Sequence, residues 1–210
     1  MAQSQNNSLL IHLKKYIANK ELYTHTRIGS KELNIPGGIY NITKDSLPEF
    51  WKLYYKHIFE QKNPEYLTEK QLVEDGPILI DIDERYDITV KGRLHTKNHI
   101  IDLVMLYASK IEEIYCLTHE CKIDVFVMEK PSINSLEDKT KDGIHIIICL
   151  KMHKALQLML REKVLVDISE MWDDLPITNS WEDLIDEAVT GGTVNWQIYG
   201  SRKPGHKAYA

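Results

Sequence analysis

The chain has 210 residues, 43% of them hydrophobic and 27% charged, with a formal net charge of -5. That balance suits one globular domain, or two small lobes sharing a core, and excludes wholesale disorder. It also excludes a protein that coats nucleic acid by bulk positive charge, while leaving room for a local basic patch that grips phosphates. Cys116, Cys121 and Cys149 are odd in number and too few for a disulfide framework, which points to a reducing, intracellular setting. The start, Met1 to Asn7, is polar and lacks an apolar signal core. Apolar runs such as Ile144 to Leu150 are too short to span a bilayer, so no membrane association is expected.

Leu9, Leu10, Leu13, Tyr16 and Ile17 recur at helical spacing and predict a helix near residues 8–19. Gly29, Pro36, Gly37 and Gly38 punctuate residues 22–42, which read as short strands or hairpins. Ser46, Pro48 and Glu49 form a helix start, and Phe50, Trp51, Tyr54, Tyr55 and Ile58 carry that helix to about residue 61. Pro77 to Ile80 is an apolar strand whose polar end is Asp81-Ile82-Asp83. Residues 97–116 are a helix, Ile123 to Met128 a strand, and Pro131 to Asp142 a polar loop. Gly143 to Leu150 is a strand, residues 152–166 a helix, and Val194 to Tyr199 a last extended piece. Strands interleave with helices, so the fold class is α/β or α+β.

Three features point to chemistry. Asp81 and Asp83 stand at i and i+2 of a strand, on one face and roughly 7 Å apart. Their mutual repulsion is relieved by a hard divalent cation, Mg²⁺ or Mn²⁺, although an Asp-x-Asp at a strand end is also a common solvated turn. His145 lies in an apolar strand. It reads either as a satisfied core histidine or as a donor to a phosphate oxygen, with Lys141 and Gly143 just upstream. Gly200-Ser201-Arg202-Lys203 reads either as a basic surface turn or as a phosphate grip of backbone N–H, hydroxyl and cations. Cys116, His119 and Cys121 mimic metal-ligand spacing but have no evident fourth ligand. The aromatics of residues 50–55 read as core before they read as a base-stacking platform. His25 and Arg27 are open to a nucleic-acid contact or a structural role.

The order of these features resembles the archaeo-eukaryotic primase superfamily, and its wording is nearest to the primases of large nucleocytoplasmic DNA viruses of the poxvirus and giant-virus type. The segments that carry the resemblance are Tyr23 to Gly29, Leu79 to Asp83, Lys141 to His145 and Trp196 to Gly205. The resemblance implies an RNA-recognition-like catalytic module, about residues 76–210, packed beside an N-terminal α/β lobe of about residues 1–75. It implies template-directed primer synthesis from nucleoside triphosphates (NTP or dNTP) on single-stranded DNA, with Mg²⁺ or Mn²⁺ as cofactor. The metal and catalytic acids carry over to Asp81, Asp83 and Asp186, with Asp183 a rival to Asp186 on helical spacing. Nucleotide binding carries over to Lys141, Gly143 and His145, and to Ser201, Arg202 and Lys203. Gly143 stands where some members have serine, and Gln197 where some have arginine.

Relatives carry a helicase part behind this domain. No Gly-x-x-x-x-Gly-Lys-Ser/Thr phosphate loop occurs here, so no helicase activity is expected of this chain; the resemblance implies a domain of a longer primase-helicase, monomeric by itself, acting where a virus replicates. Two alternatives stay open: another DxD enzyme, nuclease or glycosyltransferase, and a non-catalytic nucleic-acid-binding module.

Overall fold

The computed structural model describes residues 7–117 and 121–210. In chain order the elements are α1 (Ser8–Leu13), β1 (His25–Arg27), β2 (Gly38–Tyr40), α2 (Leu47–Tyr55), β3 (Leu67–Glu69), β4 (Gly76–Tyr86) and α3 (Lys97–Glu112). There follow β5 (Val125–Glu129), β6 (Asn134–Ser135), β7 (Thr140–Met152), α4 (Lys154–Met171), α5 (Trp181–Leu184), α6 (Glu187–Thr190) and β8 (Trp196–Gln197). The class is mixed α and β with antiparallel sheets, as the interleaved sequence pattern predicts. The chain divides into two compact units, one of Met1–Gln71 with Val194–Ala210 and one of Leu72–Thr193.

The first unit carries the sheet β2-β1-β3-β8. Its apolar centre is Leu9, Leu13, Tyr40, Ile42, Phe50, Tyr54, Ile58, Leu67 and Ile198. The first helix ends with a 3-10 turn at Lys14–Tyr16, short of the predicted residue 19. Beyond it Ile17 turns extended to bridge Tyr40, and the Asn19 side chain accepts from the N–H groups of Glu21 and Leu22. Ser46 does not cap α2. Its hydroxyl is taken by Tyr16, whose O–H donates to it at 2.8 Å, and a π turn, Lys56–Glu60, prolongs the helix. Arg27 is buried against the fully buried Glu65 at 2.5 Å and also donates to the Pro36 carbonyl, so its role is structural. Burial pushes His25 down to about 4, which leaves it uncharged near neutral pH and unsuited to a cationic phosphate contact.

The second unit follows a β-α-β-β-α order, with β6 a side hairpin on β7 and a single bridge at Ile185 in the place of a last strand. Its strand order is β4-β7-β5, and Ile185 bridges Ile82 antiparallel on the far side of β4. That places the last segment, the first strand, the third and the second side by side, the split βαβ pattern. Alternation sorts the side chains. Ile78, Ile80 and Ile82 of β4 with Ile144, Ile146 and Ile148 of β7 face Leu103, Tyr107 and Ile111 of α3 and Leu160, Val164 and Ile168 of α4.

Several boundaries differ from the predicted ones, among them an α3 that ends at Glu112 and a β7 that runs from Thr140 to Met152. β4 runs through Asp83 to Tyr86. The loop expected from Pro131 to Asp142 holds the β6–β7 hairpin, with Ser135 opposite Thr140. α4 continues to Met171, where Trp172 is fully buried and donates its indole N–H to the His99 carbonyl at 3.2 Å. Of the Cys116, His119 and Cys121 set, His119 lies outside the described residues; Cys116 and Cys121 are exposed free thiols.

The polar end of the core face is closed by charges. Glu84 and Asp142 are cross-strand partners and fully buried. Arg93 meets both Asp142 oxygens, at 2.8 and 2.9 Å, and Glu129 at 2.8 Å. His95 bridges Glu84 at 2.7 Å and Glu129 at 2.9 Å. Glu84, His95 and Asp142 bring donor atoms within 4.8 Å of one another, a spacing a metal would accept. Arg93 holds both Asp142 oxygens and His95 holds Glu84 Oε2, while Glu84 Oε1 is buried without a hydrogen-bond partner among the described residues, so we read the set as an ion-pair network with one unfilled acceptor.

This network makes stability depend on pH. Burial pushes the His95 imidazole down, but the carboxylates of Glu84, Glu129 and Asp142 together outweigh it and hold the pKa above the ordinary 6.5. The folded state therefore binds this proton more tightly than the unfolded chain does. The stabilisation is complete below about pH 6.5 and is lost as pH rises through the higher folded value. Urea midpoints should fall across that window in the wild type and fall less in His95→Gln.

Candidate active site

The other face of the second unit's sheet is half-open and carries Asp81, Asp83 and His145 among the residues singled out from the sequence. Asp81, Asp83 and Arg85 project from it on β4, with side chains 24%, 27% and 33% exposed. The register sets His145 opposite Asp81 and Gly143 opposite Asp83. His145 Nε2 lies 3.5 Å from Asp81 Oδ1, and His145 is itself buried. Because residue 143 has no side chain, Lys141 can cross to Asp83, where its Nζ donates to Oδ2 at 2.7 Å. Arg85 approaches the same carboxylate at 3.6 Å and Lys130 at 3.8 Å.

Asp186 reaches this face through its backbone. Its N–H donates to the Asp81 carbonyl at 3.0 Å, next to the Ile82–Ile185 bridge, so it stands in register beside Asp81. Asp186 Oδ1 also caps α6 by accepting from Val189 N–H at 3.0 Å; a carboxylate has a second oxygen for another partner. Asp183 sits elsewhere, exposed on α5, with Arg85 Nη1 at 3.5 Å from its Oδ2. The chain thus sets Asp186, and not Asp183, beside Asp81. Asp81, Asp83 and Asp186 do not close to within 4.8 Å as a trio. Like charges resist that approach, and Asp83 leans toward three cations.

Ser201, Arg202 and Lys203 belong to the first unit. The Ser201 hydroxyl is buried. It accepts the Leu67 N–H at 3.0 Å and lies 2.9 Å from the Tyr54 hydroxyl, so it anchors the turn that presents Arg202 and Lys203.

Lys130 escaped the sequence reading. It follows β5, donates its N–H to the Gly143 carbonyl at 3.1 Å and its Nζ to the Asp142 carbonyl at 3.2 Å. Burial pulls its pKa down against the pull of Asp83 and Asp81. Arg85 was missed as well. The available signal was its i+2 spacing from Asp83 in an extended strand, legible only once β4 is known to continue past the acids.

By donor chemistry, though not by their present spacing, these carboxylates suit a hard, oxygen-seeking cation such as Mg²⁺ or Mn²⁺. The surrounding lysines and imidazole suit an anionic ligand such as a phosphate.

The second unit is an antiparallel split βαβ unit whose open face sets two aspartates beside a histidine and lysines. The particular family follows from comparison. Residues 29–210 match the family described as the C962R protein N-terminal AEP domain, and the chain belongs to this archaeo-eukaryotic primase family. It is 30% identical over 200 residues to the "Putative helicase L207/L206" of Acanthamoeba polyphaga mimivirus. That match takes in 93% of this chain and 20% of the relative, so the chain spans about a fifth of the curated relative's length. Among solved structures it is similar to the polymerase domain from Mycobacterium tuberculosis ligase D in complex with DNA. There the TM-score is 0.42 and the identity 9%, covering 97% of this chain and 77% of that one. Among the described residues no helix is long and apolar enough to cross a membrane.

Proposed function

We propose that this chain is the catalytic domain of a primase-polymerase that builds a short strand from nucleoside triphosphates on a single-stranded DNA template. The observation that carries the reading is the pairing of Asp81 with His145 and of Asp83 with Lys141 on one half-open sheet face, beside Asp186, in a chain of this family. Asp81, Asp83 and Asp186 would hold Mg²⁺ or Mn²⁺. When bound, such an ion neutralises phosphate charge and lowers the pKa of an attacking hydroxyl.

The chain's own groups supply position and charge. Lys141 and Lys130 sit where they can move from Asp83 to a phosphate oxygen, which keeps every cation paired in both states. His145, pinned between β4 and β5, offers its Nε2 as a directed donor to the same phosphate. Positioning of the reacting groups and electrostatic stabilisation together supply most of the acceleration in phosphoryl transfer. Arg202 and Lys203 remain nucleotide partners on family resemblance. A helicase part in the longer protein, replication of a viral genome as the setting, and a monomeric isolated domain complete the proposal.

The test is incubation of the chain with single-stranded template, labelled nucleoside triphosphates and Mn²⁺ or Mg²⁺. New oligonucleotides support the reading. A shortened template indicates a nuclease, transfer from a sugar nucleotide a glycosyltransferase, and binding without synthesis a non-catalytic module; each of these overturns it.

A further inference from the structure

One face of the helix from α2 into its π turn is unlike the rest of the first unit. Lys52, Tyr55, Lys56 and Phe59 follow one another at i, i+3, i+4 and i+7, so cations and rings alternate along a single stripe. Tyr55 is 57% exposed, and its ring centroid lies 5.4 Å from that of Phe59. On the other side of Phe59, Tyr199 stacks at 5.5 Å with planes 24° apart, and it is 53% exposed. Three aromatic rings thus form a continuous row whose two ends are open.

The row is held by built features. Gly200 has φ +86°, and a Cβ there would fall 2.8 Å from Ile58 Cγ2 and 3.0 Å from Phe59 Cζ. Only glycine lets Tyr199 lie flat on Phe59. The Tyr54 hydroxyl donates to the Tyr199 carbonyl at 2.7 Å, which fixes the turn from beneath. Among the described residues, none of Lys52, Lys56, Arg202 and Lys203 forms an ion pair. In a chain of net charge -5, unneutralised cations beside exposed rings are complementary to an anionic ligand with flat apolar groups.

We infer that Tyr55, Phe59 and Tyr199, flanked by Lys52 and Lys56, are a platform for single-stranded nucleic acid. Unpaired bases stack on the tyrosine rings and the lysines meet the backbone phosphates. A duplex hides its base faces and fits this surface poorly. The inference deepens the proposed function by naming where a template strand rests, but binding to the platform requires no chemistry.

The test is fluorescence anisotropy of a labelled mixed-sequence DNA single strand, titrated with the full chain at several salt concentrations. The pair Tyr55→Ser and Tyr199→Ser should weaken binding about thirtyfold or more, two stacked bases at about 1 kcal/mol or more each, while Tyr55→Phe with Tyr199→Phe should retain it. Lys52→Ala with Lys56→Ala should reduce the slope of log affinity against log salt by about 1.4, two phosphate contacts on a single strand. Equal binding by the serine pair, with unchanged thermal midpoint, overturns the inference. So does equal loss in the phenylalanine pair, or self-association of the wild type that the serine pair abolishes. Primer synthesis with a flat binding pattern sinks the platform alone. The expected binding pattern without synthesis sinks the polymerase reading alone.

Discussion

Arg93→Ala is expected to lower the unfolding free energy by about 3 kcal/mol, the low end of the cost of breaking a buried ion pair. The guanidinium meets both oxygens of Asp142, which is fully buried. It also donates to the Lys130 carbonyl and to Glu129. Without it, Asp142 and Glu84 face each other across β7 and β4 with only His95 between them. The value sits at the low end because Arg93 is itself 30% exposed, so water can enter and solvate part of the abandoned charge. For a chain of this size the thermal midpoint should fall by about 6–12 °C. Arg93→Lys should recover only part of the loss, since an ammonium cannot make the two parallel bonds. A fall of less than about 2 °C for Arg93→Ala would mean that the network is not holding the end of the sheet.

That network also marks where sequence reasoning stops. Ile78 to Ile80 and Ile144 to Ile148 are apolar runs, the second broken only by His145, so β4 and β7 are legible as strands and the helices that cover them from their helical period. The end of β4 is not. Glu84 occupies a core-facing position, and a carboxylate there reads as the close of a strand. It is tolerated only because Arg93, His95 and a second acid on another strand converge on it, which no local pattern records. The same holds for Lys130: a single lysine after a strand has no periodicity. For the row of rings, Phe50 and Tyr54 are buried as expected, whereas Trp51 at 39% and Tyr55 at 57% are not. A helix with rings on two faces cannot declare which face its fold will cover.

The pairing of Asp81 with Asp83 was legible because strand geometry alone sets residues i and i+2 on one face. The position of Asp186 was less so. Its neighbourhood reads as one helix from Ser180 onward. The chain instead makes two short helices, α5 and α6, with Ile185 drawn out between them to bridge Ile82. That interruption, and not helical spacing, lays Asp186 against Asp81 and removes Asp183 to the Arg85 side.

Asp81→Asn and Asp83→Asn, singly, are expected to reduce nucleotide incorporation by about a thousandfold or more. Charge stabilisation by a bound divalent ion is worth several kcal/mol in the transition state, and each 1.36 kcal/mol is about tenfold in rate. Asparagine keeps the shape and one oxygen but forfeits the charge that holds the cation. Stability should change little by comparison. Asp83 is 27% exposed, and its ion pairs with Lys141, Arg85 and Lys130 sit near solvent, so losing them should cost about 1 kcal/mol. A second readout separates metal binding from chemistry. The wild type should gain about 2.7 kcal/mol of stability when Mn²⁺ is raised to about a hundred times its dissociation constant, and the variants should gain far less. Incorporation by folded variants at close to the wild-type rate would remove both aspartates from the reaction. Undiminished stabilisation by Mn²⁺ would move the cation to another set of ligands.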